Sequence, residues 1–102
     1  MRSALLSATL LAALVAGAAH GDSPESWDSF RAEMDATCRA LATAQAGEGE
    51  AAVEVNPFGS ESYGVALVTL TTPSGTDRMA CVLDKRTRRA ELTAAFAPPS
   101  PE

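Results

Sequence analysis

Tyr63-Gly64-Val65-Ala66-Leu67-Val68-Thr69-Leu70-Thr71-Thr72 runs through Pro73-Ser74-Gly75-Thr76 into Asp77-Arg78-Met79-Ala80-Cys81-Val82-Leu83-Asp84-Lys85. Two runs rich in apolar and β-branched residues flank a Pro-Ser-Gly cluster, which is the pattern of a β-hairpin. Side chains alternate along a strand, so Ala66, Val68 and Leu70 share one face with Met79, Cys81 and Leu83. With Ser74 and Gly75 at the tip, Leu70 faces Met79, Val68 faces Cys81 and Ala66 faces Leu83. A second tight turn at Lys85-Arg86, inside Asp84–Thr87, returns a further strand that sets Ala90 opposite Cys81 and Leu92 opposite Met79. Ala94 and Phe96 extend the same side. These strands make one continuous apolar face with Cys81 at its centre. A slip of one residue would turn the whole set outward, so the register is well specified.

Upstream lies the element that covers this face. Ser23 can cap a helix, Pro24 suits its first position, and Glu25 and Asp28 suit the positive end of its dipole. Trp27, Phe30, Met34, Cys38 and Leu41 then recur at steps of three and four, which is one apolar stripe. The stripe predicts core packing for Trp27 and Phe30 rather than ligand stacking. The helix fades near Ala44–Ala46 and stops at Gly47. Ala51 to Asn56 alternates as a short strand, and Asn56-Pro57-Phe58-Gly59 has the composition of a type I turn.

The chain has two cysteines, Cys38 on the helix stripe and Cys81 on the sheet face. Both periodicities point the thiols inward, so they predict a Cys38–Cys81 disulfide. Closing a loop of that length stabilises by about 4 kcal/mol in the chain-entropy model. The fold class that follows is α+β: one N-terminal amphipathic helix packed on one face of a three- to four-stranded antiparallel sheet, with one helix-to-sheet disulfide.

The first residues follow a different pattern. Met1-Arg2-Ser3 is a positive start, Ala4 to Val15 is an apolar or small-residue run, and Ala16-Gly17-Ala18-Ala19 offers small residues to a peptidase. Residues 1–19 therefore read as a secretory signal peptide, cut after Gly17, Ala18, Ala19 or Gly21. The run is shorter than the roughly 20 residues that a membrane-spanning helix needs, so no membrane anchor is expected after processing. Residues 23–96 form a single α+β domain, and the Pro-rich segment 97–102 is a disordered tail. Export agrees with a disulfide, since such bonds persist in oxidising compartments. The Ala-rich, Arg-over-Lys composition looks bacterial, which makes the compartment the periplasm or the exterior.

Charge and side-chain inventory narrow the function. Arg2 is one of eight basic residues against thirteen acidic ones, so its removal leaves a net charge of about −6. That balance argues against nucleic acid and anionic membrane as partners. The single histidine, His20, lies at the signal boundary, so Ser-His-Asp and Cys-His machinery lacks its base. A cut after Gly17 would expose Ala18-Ala19-His20, a square-planar copper ligand set, while a start at Gly21 or Asp22 removes it. No metal motif, phosphate loop or dinucleotide fingerprint occurs, so no catalytic, cofactor-binding or metal residue is assigned and no cofactor is expected. Glu48, Glu50, Glu54, Glu61, Asp77 and Asp84 are the only groups left for acid–base work, and no spacing selects a pair.

The opposite face of the sheet carries Tyr63, Val65, Leu67, Thr69 and Thr71 beside Ala80, Val82 and Asp84, with Arg89, Glu91 and Thr93 beyond. One helix cannot cover both faces, so Tyr63, Val65, Leu67 and Val82 are a candidate contact patch. Phe58, in the 56–62 loop, is the other candidate.

Ser62-Tyr63-Gly64-Val65-Ala66-Leu67-Val68, the turn glycine Gly75, and Met79-Ala80-Cys81-Val82-Leu83-Asp84-Lys85-Arg86-Thr87 resemble the PepSY type of small exported domain. That family sets a helix before a Tyr-x-Val strand, a Gly-bearing turn and a Val-x-x-Asp-x-x-Thr hairpin. Arg88 stands where the family has glycine. The resemblance implies an association with peptidase regulation and transfers no functional residue. The expected function is a disulfide-stapled binding or accessory module without catalytic activity, meeting a protein partner or its own copy through the open face or the 56–62 loop. The alternatives are an inhibitor of a peptidase or cell-wall hydrolase, and a carboxylate-dependent hydrolase.

Overall fold

Ser23 opens the first element: its hydroxyl oxygen accepts from the Ser26 N–H at 3.0 Å while its backbone stays extended. The computed structural model describes residues 23–98. The expected signal peptide, His20 and the end of the Pro-rich tail lie outside them. Helix α1 spans Pro24–Ala46 with proline in its first turn. Gly47 ends it in the left-handed region at φ 76°, donating its N–H to the Thr43 carbonyl at 2.8 Å. The strands β1 (Glu50–Val55), β2 (Tyr63–Thr72), β3 (Gly75–Asp84) and β4 (Ala90–Leu92) follow. They pair antiparallel in the order β1-β2-β3-β4.

The helix lies on one face of this meander. Phe30, Met34, Cys38 and Ala42 are buried against Ala66, Val68 and Leu70 of β2 and Met79, Cys81 and Leu83 of β3. The stripe thus runs on to Ala42 by steps of four, and Trp27 and Leu41 flank it half-buried. Cys38 and Cys81 are joined in the centre of this seam, their Cα atoms 5.9 Å apart and both residues 0% exposed. Among the described residues no helix is long and apolar enough to cross a membrane.

Arg39 and Arg88 tie the helix to the sheet's periphery. Arg39 pairs with Asp35 at 2.9 Å and donates to the Ala51 carbonyl, which occupies part of the free edge of β1. Arg88, in the β3–β4 turn, reaches Glu33 at 2.7 Å.

Both turn registers differ from the sequence reading by two residues, which changes the partners and keeps the faces. Thr72 pairs with Gly75, so the tip is Pro73-Ser74, and Val68 faces Met79 while Ala66 faces Cys81. Proline has no N–H for a ladder, and this register leaves Pro73 in the loop. The Thr72 hydroxyl accepts from the Ser74 N–H at 3.2 Å, and Gly75 takes φ 141°. At the second turn Cys81 faces Leu92 and Leu83 faces Ala90. Asp84 widens that turn: its Oδ1 accepts from the N–H groups of Arg86 and Thr87 at 2.8 and 3.1 Å. The Arg88 N–H donates to the Asp84 carbonyl at 2.7 Å with Arg88 at φ 66°.

Asn56 bends the chain with its side chain, its Oδ1 accepting from the N–H groups of Phe58 and Gly59 at 3.3 and 2.8 Å. One further expectation is corrected. Ala94 and Phe96 do not extend the buried face, for both are exposed. The Thr93 N–H donates to the Ala80 carbonyl, yet the next such bond runs from Phe96 to Arg78. Three steps along one chain thus match two along the other, which is a β-bulge. The Thr93 hydroxyl fills the gap, accepting from the Ala80 N–H at 3.0 Å and donating to the Ala94 carbonyl at 2.8 Å. The extra residue reverses the alternation and brings Phe96 to the side of Arg78, whose guanidinium lies 6.0 Å from the ring centroid.

Candidate functional site: the uncovered sheet face

The helix covers the face that holds Ala66, Val68 and Leu70, so the alternate residues of β2 point away from it. Val65 pairs across with Val82, Leu67 with Ala80 and Tyr63 with Asp84. Tyr63 is 46% exposed, Leu67 47% and Phe96 48%, while Val65, Ala80 and Val82 are half-buried. Tyr63, Val65, Leu67 and Val82 are therefore brought together, as their alternation implies. Phe96 joins the same side, and only the bulge puts it there. Nothing in the apolar pattern of Ala94-Ala95-Phe96 reveals that step; the one local cue is a threonine able to replace a ladder carbonyl.

Charged groups ring this patch unevenly. On β1, Glu50 pairs across from Thr71 and Glu54 from Leu67, so both acids share the open face. On the far side, Arg78 lies opposite Thr69 and Glu91 opposite Val82, with Arg89 beside Asp84. The face is shallow. One hollow is lined by Tyr63, Val82, Asp84, Arg89 and Glu91, and another by Glu54, Val55, Pro57, Val65 and Leu67.

Phe58 is not part of this surface. It packs edge-on to Trp27 at 4.9 Å, with the Arg31 guanidinium 5.6 Å from its ring, on the helix side. Arg31 also donates to the Pro57 carbonyl at 3.0 Å. Lys85 holds the rest of the loop, its ammonium donating to the carbonyls of Phe58 and Ser60 at 2.8 Å each. The same Nζ lies 5.1 Å from the Trp27 ring and 5.2 Å from that of Phe30. Gly59 at φ 71° completes the loop, where a Cβ would come within 2.2 Å of the Tyr63 carbonyl oxygen. Phe58 remains 55% exposed on this fixed loop. The sequence places Lys85 in a turn, and no spacing marks its reach across the fold.

Glu61 and Asp84 line one shallow hollow with Lys85 and Arg86. The N–H groups of Thr87 and Arg86, with the Arg86 charge, hold the Asp84 carboxyl below its usual range, against a smaller opposing effect of burial. A general acid needs the opposite shift. Among the described residues no group of three or more His, Cys, Asp or Glu side chains is placed to hold a metal ion. Comparison with protein-family models, curated proteins and solved structures found no match.

Proposed function

We propose that the chain is a small exported binding or accessory module that acts by contact, through the open face of its sheet. The observation that carries this reading is Leu67. It is 47% exposed in mid-strand, between the half-buried Val65 and the flanking Glu54 and Ala80, and none of the described residues covers it. Isolated apolar residues on a surface are ordinary, but a contiguous set on a flat face is the usual mark of a contact surface. Export is supported by the signal-like pattern of residues 1–19 and by a disulfide that suits an oxidising compartment. The PepSY resemblance adds a link to peptidase regulation.

The test is Val65→Lys. The substitution places a charge at the centre of the patch and leaves the helix-side core alone. Circular dichroism and the melting temperature should stay near wild type, while capture of a partner from the exported fraction is lost. Normal association by the folded variant removes the open face as the contact surface.

The 56–62 loop supports a second reading, inhibition of a peptidase or cell-wall hydrolase. Its conformation is fixed by Asn56, Arg31 and Lys85, and a fixed loop binds with little ordering cost. Phe58→Ala should then abolish inhibition where Val65→Lys does not.

A further inference from the structure

We infer that the open face is covered by a second copy of this chain, in a weak two-fold dimer with parallel axis and strands. The inference rests on the open face being a contact surface and adds the identity of the occupant. The first support is the arrangement of large side chains. Tyr63, Leu67 and Phe96, each close to half exposed, all lie on this side. Two such faces can interdigitate as the inner layers of a sandwich do.

The second support is the segregation of charge by strand. The β1 side of the face offers only acids, Glu50 and Glu54, and its arginines, Arg78 and Arg89, all lie on the β3–β4 side. A two-fold axis along the strands lays β1 of one copy over the β3–β4 side of the other. Glu50 and Glu54 then meet the region of Arg78, and the two-fold repeats the match. A two-fold axis across the strands would lay β1 on β1 and set acid against acid, which is unfavourable. Asp84 and Glu91 also carry charge on the β3–β4 side, so position along the strands decides the match: Arg78 is level with Ala52, between Glu50 and Glu54, whereas Glu91 is level with Val65 and Asp84 with Tyr63, towards the other end of the face.

Size sets the strength. Four strands about 4.8 Å apart, rising about 3.4 Å per residue, give a face of about 500 Å² per copy. Specific stable interfaces bury about 800 Å² per partner, so this dimer is reversible and forms at micromolar concentration or above.

Sedimentation velocity of the oxidised protein, from about 10 μM to about 1 mM, tests the inference. The expected result is a monomer that converts to dimer as concentration rises. Leu67→Asp and Glu54→Arg should each raise the dimer dissociation constant about tenfold or more. The double variant Glu54→Arg/Arg78→Glu should recover most of the loss, which no effect on folding would imitate. Circular dichroism confirms that each variant is folded. A monomer throughout overturns the inference, as does a dimer that Leu67→Asp leaves intact or a double variant no better than Glu54→Arg alone. If the protein stays monomeric while Val65→Lys still abolishes partner capture, self-pairing falls and the contact surface stands. If Val65→Lys changes neither, both fall.

Discussion

The Lys85 ammonium lies 5.1 Å from the centroid of the Trp27 ring, although the two residues belong to opposite ends of the described chain. The same nitrogen donates to the carbonyls of Phe58 and Ser60, so one cation joins the helix, the 56–62 loop and the end of the sheet. Hydrogen bonds to a charged donor and a cation over an aromatic face each contribute on the order of 1 kcal/mol. Lys85→Met keeps the aliphatic stem and removes the charge. It should lower stability by about 1–2 kcal/mol, read from urea unfolding. Trp27 is the only tryptophan, so its emission reports the loop directly. The variant should show a red shift as Phe58 leaves the ring, while far-ultraviolet dichroism stays the same. An unchanged emission maximum would mean that Lys85 does not hold the loop.

Gly64 brings β2 close to the helix. A Cβ built there would lie 2.7 Å from Met34 Sδ and 2.9 Å from Phe30 Cζ. Met34 is 0% exposed and Phe30 7%, so neither side chain has free space to retreat into. Gly64→Ala should cost about 1–3 kcal/mol by overpacking. Combining it with Met34→Ala, which opens room at the point of collision, should cost less than the two single changes added together. Additive costs would show that the added methyl meets something other than Met34.

The helix, the strands and the disulfide were legible because each rests on local chemistry. Ser23, Pro24 and Gly47 mark helix ends, and Cys38 and Cys81 both fall on apolar periods. Tyr63, Val65, Leu67 and Val82 were legible as a set because alternation survives a register error of two residues. The partners within the hairpins were not legible, since Pro73 and the Asp84 carboxylate decide where each turn closes. The side that Phe96 takes is not legible, because a bulge breaks the alternation of two. Nor is the reach of Lys85, whose contacts span 25 and 27 residues and leave no periodic trace.

The disulfide crosses 43 residues and joins two residues that are 0% exposed. Reductant therefore reaches the sulfurs only through opening of the helix–sheet seam. In mild dithiothreitol without denaturant the bond should persist, and its reduction should speed up sharply with added urea. Replacing both cysteines with alanine should lower stability by about 4 kcal/mol, with loss of cavity-filling sulfur adding to the effect. Rapid reduction in buffer alone would place the sulfurs nearer the surface than the seam.

Asp84 gives the stability a pH-dependent part. Its carboxyl is held below the usual value of 3.8 by the Thr87 and Arg86 N–H groups. A depressed folded-state pKa stabilises the fold above the unfolded pKa, and the effect fades as pH falls through the folded value. Asp84→Asn keeps an acceptor oxygen for the turn and removes the titration. Wild type should lose stability relative to this variant as pH drops below about 4, with a constant difference above about pH 5. Urea midpoints measured across that range provide the test, and parallel pH curves would deny Asp84 this role.

Arg88 sits at φ 66°, in the left-handed region that favours glycine. A non-glycine residue there carries a cost of about 1–2 kcal/mol. Its ion pair with Glu33 is 2.7 Å long and joins side chains 51% and 34% exposed, so the pair offsets about 0–1 kcal/mol of that cost. Arg88→Gly removes strain and ion pair together and should leave stability near wild type. Arg88→Val removes the same ion pair but resists the left-handed region through its branched Cβ. The two variants should therefore differ by about 1–2 kcal/mol in favour of glycine. Because both lack the contact with Glu33, their difference isolates the backbone, and Glu33→Gln measured alone isolates the pair. Equal stability of the glycine and valine variants would show that the turn does not require the left-handed conformation at this position.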